Sequence, residues 1–262
     1  MRVRIVDAFT DRAFAGNPAA VVTLDGAAWP DPAWMQQVAA ELNMPMTAFV
    51  RPHDDGWGLR WFTPLIEERL CGHATLATAF LLGGGEPMRF DTRAGILSAT
   101  VAADGVVTLD FPAAEVAARN PIDGLADALC ATPAELFGTG ELRDVVAVFD
   151  EERTVRELAP RFDALADVTR REDIRGVIAT ARGAEHDFVS RFFSPADGIP
   201  EDPVTGSAHC ALAPFWAQRL GSPRLVGEQV SARRGVVQTQ VSGDRVLLSG
   251  RAVVVVEGEL QL

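Results

Sequence analysis

The sequence predicts an α+β protein built from two similar halves. Short runs rich in β-branched and aromatic residues dominate the chain, which is typical of strands. Two apolar segments with helical spacing, at 32–42 and 74–82, lie between the strands of the first half. The order of aromatic strand, proline turn, glycine-centred turn and apolar helix recurs in the second half, which indicates an internal repeat.

The elements of the first half follow from these patterns. Strands are expected at 3–9, 19–24, 47–51, 59–63, 96–103 and 106–111. The first helix places Trp34, Val38 and Leu42 at helical spacing, and the second ends at the triple glycine 83–85. Because no Lys-Ser or Lys-Thr follows, we interpret these glycines as a helix stop and not as a phosphate loop.

The second half begins after Phe111-Pro112, where an Ala/Pro/Asp-rich stretch runs to about residue 140. A charged helix is expected at 151–168, and an apolar helix after Gly206. The expected strands lie at 144–149, 176–180 and 187–193, with hairpin-like strands from 236 to 256.

The charge balance narrows the class of partner. Twenty-four basic and thirty-six acidic residues give a net charge of −12, which opposes phosphate backbones and anionic membranes. We therefore expect a small-molecule partner, with no nucleic acid and no membrane. The N-terminus lacks the apolar core of a secretory signal, and no apolar run approaches the roughly 20 residues that span a bilayer, so a soluble, cytoplasmic protein is expected.

Cysteine and histidine give no sign of a disulfide framework or a metal site. Three cysteines, Cys71, Cys130 and Cys210, leave one unpaired in any scheme, which favours a reducing compartment. The histidines at 53, 73, 186 and 209 are scattered and form no HxxxH or Cys/His cluster, so no metal is expected.

The repeat itself is specific in its residues. The run 60–64, RWFTP, precedes the turn 72–74, GHA, and the run 191–195, RFFSP, precedes the turn 206–208, GSA. Two strand-to-helix connections that converged on similar turn residues would explain this. The alternative is an internal duplication, which predicts that the two turns face each other across a cleft.

A helix start has free backbone N–H groups and a partial positive charge, and glycine lets a ligand approach the backbone closely. Two such starts aimed at one volume would suit a carboxylate or an enolate-like charge. A histidine that titrates near neutrality and a carboxylate would form a proton-handling pair there, provided that burial tunes their pKa values. The candidate groups are Glu67, Cys71 and His73 at the first start, and Glu201, Asp202, Thr205, Ser207 and His209 at the second.

Each of these residues also has a purely structural explanation. Asp202 precedes Pro203 and would serve as a turn former, and Ser207 would serve as a helix cap. His73 would be a capping or core histidine, and Cys71 a small buried apolar residue.

At these residues the chain resembles the PhzF-like family of phenazine-biosynthesis isomerases, which share the fold of diaminopimelate epimerase. The resemblance implies two similar lobes, each a β-barrel-like sheet wrapped around a central helix, with the C-terminal strand returning to the first lobe. The implied domains are 1–112 with 247–262, and 113–246. It also implies a homodimer, no metal or organic cofactor, and isomerisation of a dihydro-hydroxyanthranilate by proton transfer. The matching stretches are 6–22, 43–50, 60–77, 190–216 and 227–235.

The resemblance assigns roles to individual residues. His73 and Asp202 match the catalytic histidine and aspartate of the family. The family's acid/base glutamate corresponds to Met46, which cannot carry a proton, and Glu41, the nearest carboxylate, lies five residues upstream on a helix. Altered or reduced chemistry is therefore expected. The remaining matches are Gly72, Gly206 and Ser207, which would hold the substrate carboxylate and ring substituents, with Cys71 and Thr205 beside them as further substrate contacts.

Two other functions stay open. Amino-acid racemases and epimerases of this fold use one cysteine at each helix start, but here Thr205 stands where the second thiol would be. A hydroxyl is a poor base at neutral pH, so this mechanism is disfavoured. A non-catalytic protein that binds a small carboxylate is the other alternative, and turnover would distinguish it from an enzyme.

Overall fold

The computed structural model describes residues 1–26 and 28–261. The helices are α1 (Pro32–Leu42), α2 (Gly72–Leu82), α3 (Leu125–Leu129), α4 (Glu152–Glu157), α5 (Phe162–Arg171) and α6 (Gly206–Leu220), with one-turn 3-10 helices at Gly140–Leu142 and Pro195–Asp197. The strands are β1 (Arg2–Ala8), β2 (Asn17–Thr23), β3 (Met46–His53), β4 (Gly56–Phe62), β5 (Glu67–Glu68), β6 (Met88–Thr92), β7 (Gly95–Val101), β8 (Val107–Pro112), β9 (Ala117–Ala118), β10 (Glu135–Gly138), β11 (Asp144–Val148), β12 (Gly176–Arg182), β13 (Phe188–Ser194), β14 (Ile199–Asp202), β15 (Arg224–Gln229), β16 (Gly235–Ser242), β17 (Arg245–Gly250) and β18 (Ala252–Glu259).

The fold is α+β, as predicted, and most of the expected elements are present. The charged helical segment expected at 151–168 forms two helices instead of one, because Pro160 lies between α4 and α5. Proline lacks the N–H that would continue the helix, and its ring clashes with the preceding turn. Six strands were not expected from the sequence, namely β5, β6, β9, β10, β14 and β15.

Helix α1 shows why the sequence forms this element where it does. Asp31 caps the N-terminus by accepting a hydrogen bond of 2.8 Å from the backbone N–H of Ala33, and Pro32 occupies the first helical position. Asn43 ends the helix in the left-handed conformation with φ 47°. The chain then enters β3 at Met46, the position that the resemblance aligns with the family's glutamate.

The chain divides into two compact units. The first contains Met1–Phe111 and the stretch that begins at Ser249, and the second contains Pro112–Leu248. The triple glycine after α2 is a helix stop, as predicted, since Gly83 has φ 63° and its N–H bonds to the carbonyl of Ala79.

In the first unit, eight strands form a continuous sheet around α2. Their order is β18, β1, β2, β3, β4, β6, β7 and β8. The pairs β2–β3 and β4–β6 are parallel, and the others are antiparallel. Helix α2 packs against β1, β2, β3, β7 and β18, and its residues from His73 to Ala79 are buried.

The sheet of the second unit has helices on both faces. Its strand order is β9, β10, β11, β12, β13, β15 and β16. Because side chains alternate along a strand, Val145 and Ala147 pack against α3 and α5, whereas Val146 and Val148 pack against α6. Because β11 is buried on both faces, its sequence DVVAVF is an almost unbroken run of apolar residues.

The two units repeat one pattern of strand pairing. In the first, β2 and β3 are parallel, β3 and β4 antiparallel, and β4 and β6 parallel. In the second, β11 and β12 are parallel, β12 and β13 antiparallel, and β13 and β15 parallel. Helix α2 lies in the connection from β4 to β6, and α6 in the connection from β13 to β15. This repetition supports internal duplication over chance convergence of turn residues.

Candidate functional site

The start of α2 brings three of the predicted site residues together. Cys71 occupies the N-cap in extended conformation, and its side chain does not cap the helix. The helix begins at Gly72, and the Cys71 sulfur lies 3.5 Å from Nδ1 of His73. Thr75 donates its hydroxyl to the Cys71 carbonyl at 2.5 Å. The first turn therefore has no capping side chain from Cys71, which suits it to an external anion.

His73 is uncharged at this start. Burial lowers the pKa of His73 to about 4, because an imidazolium loses its hydration there. At neutral pH the imidazole of His73 therefore carries no charge. A neutral imidazole still has one N–H donor and one acceptor nitrogen, so it can hold a substrate group or relay a proton.

Met46 is buried at the first position of β3. Phe49 packs in the cluster around α1, so Met46, Ala48 and Val50 face the opposite side of the strand. Val50 lines one cavity together with Thr78 of α2, which identifies that side as the one that faces α2. The thioether thus lies on the α2 side of the sheet, whereas Glu41 is exposed on α1.

The start of α6 is organised by Asp202, Thr205 and Gln229. Thr205 is the N-cap, and its hydroxyl donates to Oδ2 of Asp202 at 2.5 Å. Gln229 accepts the Thr205 N–H at 2.8 Å and donates to the Asp202 carbonyl at 2.7 Å and to the Thr205 hydroxyl at 3.2 Å. The hydroxyl of Thr205, predicted as a substrate contact, is thus engaged with protein groups on both its donor and its acceptor side.

Ser207 lies in the first turn of α6 and contacts a partly buried ion pair. Its Oγ accepts a hydrogen bond of 3.0 Å from Nη2 of Arg175. Arg175 in turn donates to both carboxylate oxygens of Asp144, at 2.9 and 2.5 Å. Burial raises the pKa of the Asp144 carboxyl, and the Arg175 hydrogen bonds and charge oppose that rise.

His209 and Cys210 of α6 are both uncharged near neutral pH. His209 lies 2.8 Å from the Thr205 carbonyl through Nδ1, which must carry the hydrogen because a carbonyl only accepts. Burial lowers the pKa of His209 to about 4 and raises the pKa of Cys210 to about 12. Neither an imidazolium nor a thiolate is therefore available at these positions near neutral pH.

The repeat extends to an ion pair beside each start. Arg60 donates to both carboxylate oxygens of Glu67, at 2.7 and 2.8 Å, and Arg191 does the same to Glu201, at 2.7 and 2.9 Å. Each pair joins a long strand to the short strand that leads into the helix start. Glu67 and Glu201 thus brace the connections.

The predicted residues fall into two groups, one in each unit. Cys71, Gly72 and His73 lie at the start of α2, and the other group lies at or beside the start of α6: Asp202, Thr205, Gly206 and Ser207. That both starts act on one ligand stays a prediction. Within residues 1–26 and 28–261, no three His, Cys, Asp or Glu side chains are grouped as a metal site, and no helix is long and apolar enough to cross a membrane.

Sequence reasoning missed Gln229, Arg175 and Asp144. Gln229 lies in the stretch 227–235 that carries the family resemblance, but the resemblance assigned no role to this residue. Asp144 begins β11, and Arg175 directly precedes β12. A charged residue at or just before the start of an otherwise apolar strand is the sequence signal by which both residues could have been found.

Comparison with known proteins identifies the family. Residues 6–258 match the family described as phenazine biosynthesis-like protein, PhzC-PhzF. A Pseudomonas aeruginosa protein described as an uncharacterized isomerase is 47% identical over 262 residues, which cover 98% of this chain and 97% of that protein. Another such protein, from Halalkalibacterium halodurans, is 42% identical over 269 residues, which cover 99% of this chain and 98% of that protein.

Solved structures agree with the sequence match. The crystal structure of a PhzF-family phenazine biosynthesis protein from Enterococcus faecalis has a TM-score of 0.93 at 40% identity, and covers 100% of this chain and 99% of that chain. The protein therefore has the α+β fold of PhzF-like structures, as the sequence predicted. The chain belongs to the phenazine biosynthesis-like (PhzC-PhzF) family, whose relatives named above are described as isomerases.

Proposed function

We propose that this protein is an isomerase that moves a proton within a small cyclic carboxylate, such as a dihydro-hydroxyanthranilate, without a metal or organic cofactor. The observation that carries the proposal is the carboxylate of Asp202, held by the Thr205 hydroxyl at the start of α6. His73 occupies the equivalent helix start in the other unit. A carboxylate and a neutral imidazole at two repeated anion-binding turns are suited to proton transfer at a carbon next to a stabilised charge.

In this reaction Asp202 acts as the base. Its carboxylate removes a proton from a ring carbon, and the electron pair left behind is delocalised into the ring and its substituents. Free N–H groups at a helix start stabilise the negative charge that develops. The Asp202 carboxyl then returns the proton to another ring carbon, which restores the carboxylate. His73 holds the substrate through its N–H and does not need to change charge.

Met46 sets the limit of this chemistry. A positioned acid/base contributes about a hundredfold to ten-thousandfold to a proton transfer. A thioether at the start of β3 provides none, so one carboxylate has to remove and return the proton. We therefore propose slow or redirected isomerisation compared with a chain that carries glutamate there.

Met46 also supports the second candidate, a non-catalytic protein that binds a small carboxylate. In that case the helix starts would bind the ligand and no proton would move. The two-thiol racemase mechanism finds less support, because Cys71 and Thr205 are the N-cap residues of α2 and α6 and only one of them is a thiol. A homodimer and a cytoplasmic location stay predictions.

Proton exchange tests the proposal. The protein is incubated with a dihydro-hydroxyanthranilate in heavy water, and the ring C–H signals are followed by NMR. We expect slow exchange at one ring carbon that is lost in Asp202→Asn and retained in Asp167→Asn, an exposed carboxylate on α5. Binding of the substrate in which no ring proton either exchanges or moves to another ring carbon would contradict isomerisation and favour the non-catalytic candidate.

A further inference from the structure

We propose that Arg175 is a positioning residue for the substrate carboxylate: held by Asp144, it orients the Ser207 hydroxyl and supplies a fixed positive charge at the start of α6. The inference rests on the proposed function, because it assumes that this start receives a small carboxylate. It adds a residue that the family resemblance did not assign.

The ion pair fixes the guanidinium in place. Asp144 is the first residue of β11 and pairs in register with Gly176, the first residue of β12. Arg175 directly precedes Gly176, so its backbone lies next to that of Asp144. The Asp144 side chain has no exposed surface, whereas the Arg175 side chain is 32% exposed. The guanidinium also lies over the Phe192 ring, 5.3 Å from its centroid. One edge of the guanidinium is thereby anchored while part of the group stays accessible.

The hydrogen bond to Ser207 has a direct consequence for a ligand. Since Nη2 of Arg175 donates to Oγ of Ser207 at 3.0 Å, the hydroxyl oxygen serves as an acceptor there. Its own hydrogen must point elsewhere and remains available to donate. Within the described parts of the chain, Nη1 of Arg175 has no hydrogen-bond acceptor, so its N–H groups are available as well.

The positive charge of Arg175 offsets neighbouring carboxylates that would otherwise disfavour the binding of an anion. Burial lowers the pKa of Arg175, but the hydrogen bonds and charge of Asp144 and the charges of Asp197 and Asp202 outweigh this and raise it, so the group stays charged. Asp197 accepts from Ser194 and Asp202 from Thr205, so hydroxyls engage both carboxylates. Without the guanidinium these three carboxylates would repel an incoming carboxylate.

The topology of the strands does not require this ion pair. The equivalent parallel pair in the first unit, β2 and β3, has Ala19 in register with Met46, and Pro45 precedes the strand. The same pairing thus forms from uncharged residues. A buried ion pair is often no more stabilising than well-packed apolar residues, so its presence in one unit alone favours a role in binding.

Calorimetry with a charged and an uncharged probe tests the inference. The probes are anthranilate and 2-aminobenzamide, which share a ring but differ in the carboxylate. The main variant combines Asp144→Asn with Arg175→Gln, which neutralises the pair without leaving a buried charge. The matched control combines Glu135→Gln with Arg219→Gln, a pair with two hydrogen bonds at the other end of α6. Arg175→Lys keeps the charge but loses the two-pronged geometry.

We expect the native protein and the control to prefer anthranilate. In the main variant its affinity should fall by about tenfold to a hundredfold, with little change for 2-aminobenzamide, and Arg175→Lys should lose less. An unchanged preference for anthranilate in the folded main variant would overturn this inference and leave the proposed function standing. If circular dichroism shows that this variant does not fold, an unchanged preference in Arg175→Lys and Ser207→Ala would overturn it. A native protein that binds neither probe would contradict the proposed function, and the inference with it.

Discussion

Thr205 donates its hydroxyl hydrogen to Asp202 across 2.5 Å, three residues apart, at the point where β14 passes into α6. This bond orients one oxygen of the proposed catalytic carboxylate. Gln229 holds the backbone of both residues from β15. The geometry of the α6 start therefore depends on a residue that lies 24 positions further along the chain than Thr205.

Replacing Gln229 with leucine should loosen this start. The Thr205 N–H and the Asp202 carbonyl would each lose a buried partner, at a cost of about 1–3 kcal/mol in the free energy of unfolding. Proton exchange should fall as well, because Asp202 would no longer be held. Urea unfolding and the exchange assay measure the two effects. Gln238→Leu, an exposed position on β16, is the control, and an equal loss there would contradict the role given to Gln229.

The repeated ion pairs should contribute similarly in the two units. Burial opposes the ionisation of Glu67, but the hydrogen bonds and charges of Arg60 and Arg93 outweigh it and lower the pKa of Glu67. Glu67→Gln and Glu201→Gln should each lower the free energy of unfolding by about 1–3 kcal/mol. Glu157→Gln breaks the exposed pair with Arg153 and should have no measurable effect. Losses no larger than that control would contradict the bracing role.

Acid should destabilise the protein through its buried histidines. The pKa of His73 and of His209 is about 4 in the folded protein, whereas the unfolded chain has the ordinary value of about 6.5. Because the unfolded state binds protons first as the pH falls, stability is full above about 6.5 and is lost toward 4. Each histidine accounts for up to roughly 3 kcal/mol of that loss.

The variant His209→Asn isolates one of these contributions. Asparagine keeps a donor for the Thr205 carbonyl but does not titrate, so the decline of stability between pH 6.5 and 4.5 should be shallower than in the native protein. Above pH 7.5 the two curves should run parallel. Curves that stay parallel down to pH 4.5 would show that His209 does not resist protonation.

Most of the fold could be predicted because its signals are local. The apolar runs of β11 and β12, the cap at Asp31 and the stop at Gly83 are set by neighbouring residues. The strand β15 was missed because RLVGEQ contains polar residues, Glu228 and Gln229, that are buried through long-range pairs. Such pairing depends on partners that are distant in sequence.

The candidate site divides in the same way. Glycine and histidine at a helix start are visible in the sequence, so Gly72, His73 and Gly206 could be located. The Arg175 bonds to Asp144 and Ser207 span 31 and 32 positions, and no periodic pattern encodes them. The low pKa of His73 depends on burial in the folded unit, so a titrating histidine was the natural expectation from sequence.

The most direct test of the account is proton exchange by Met46→Glu. Glutamate has nearly the length of methionine, and burial at the start of β3 should raise the pKa of its carboxyl toward the range of a working acid/base. With a dihydro-hydroxyanthranilate in heavy water, the native protein should exchange slowly, and Met46→Glu should raise the rate by about tens to thousands of fold. Met44→Glu, two residues upstream and half-buried, should give no gain. Fast exchange by the native protein that Asp202→Asn abolishes and Met46→Glu leaves unchanged would contradict the account of Met46.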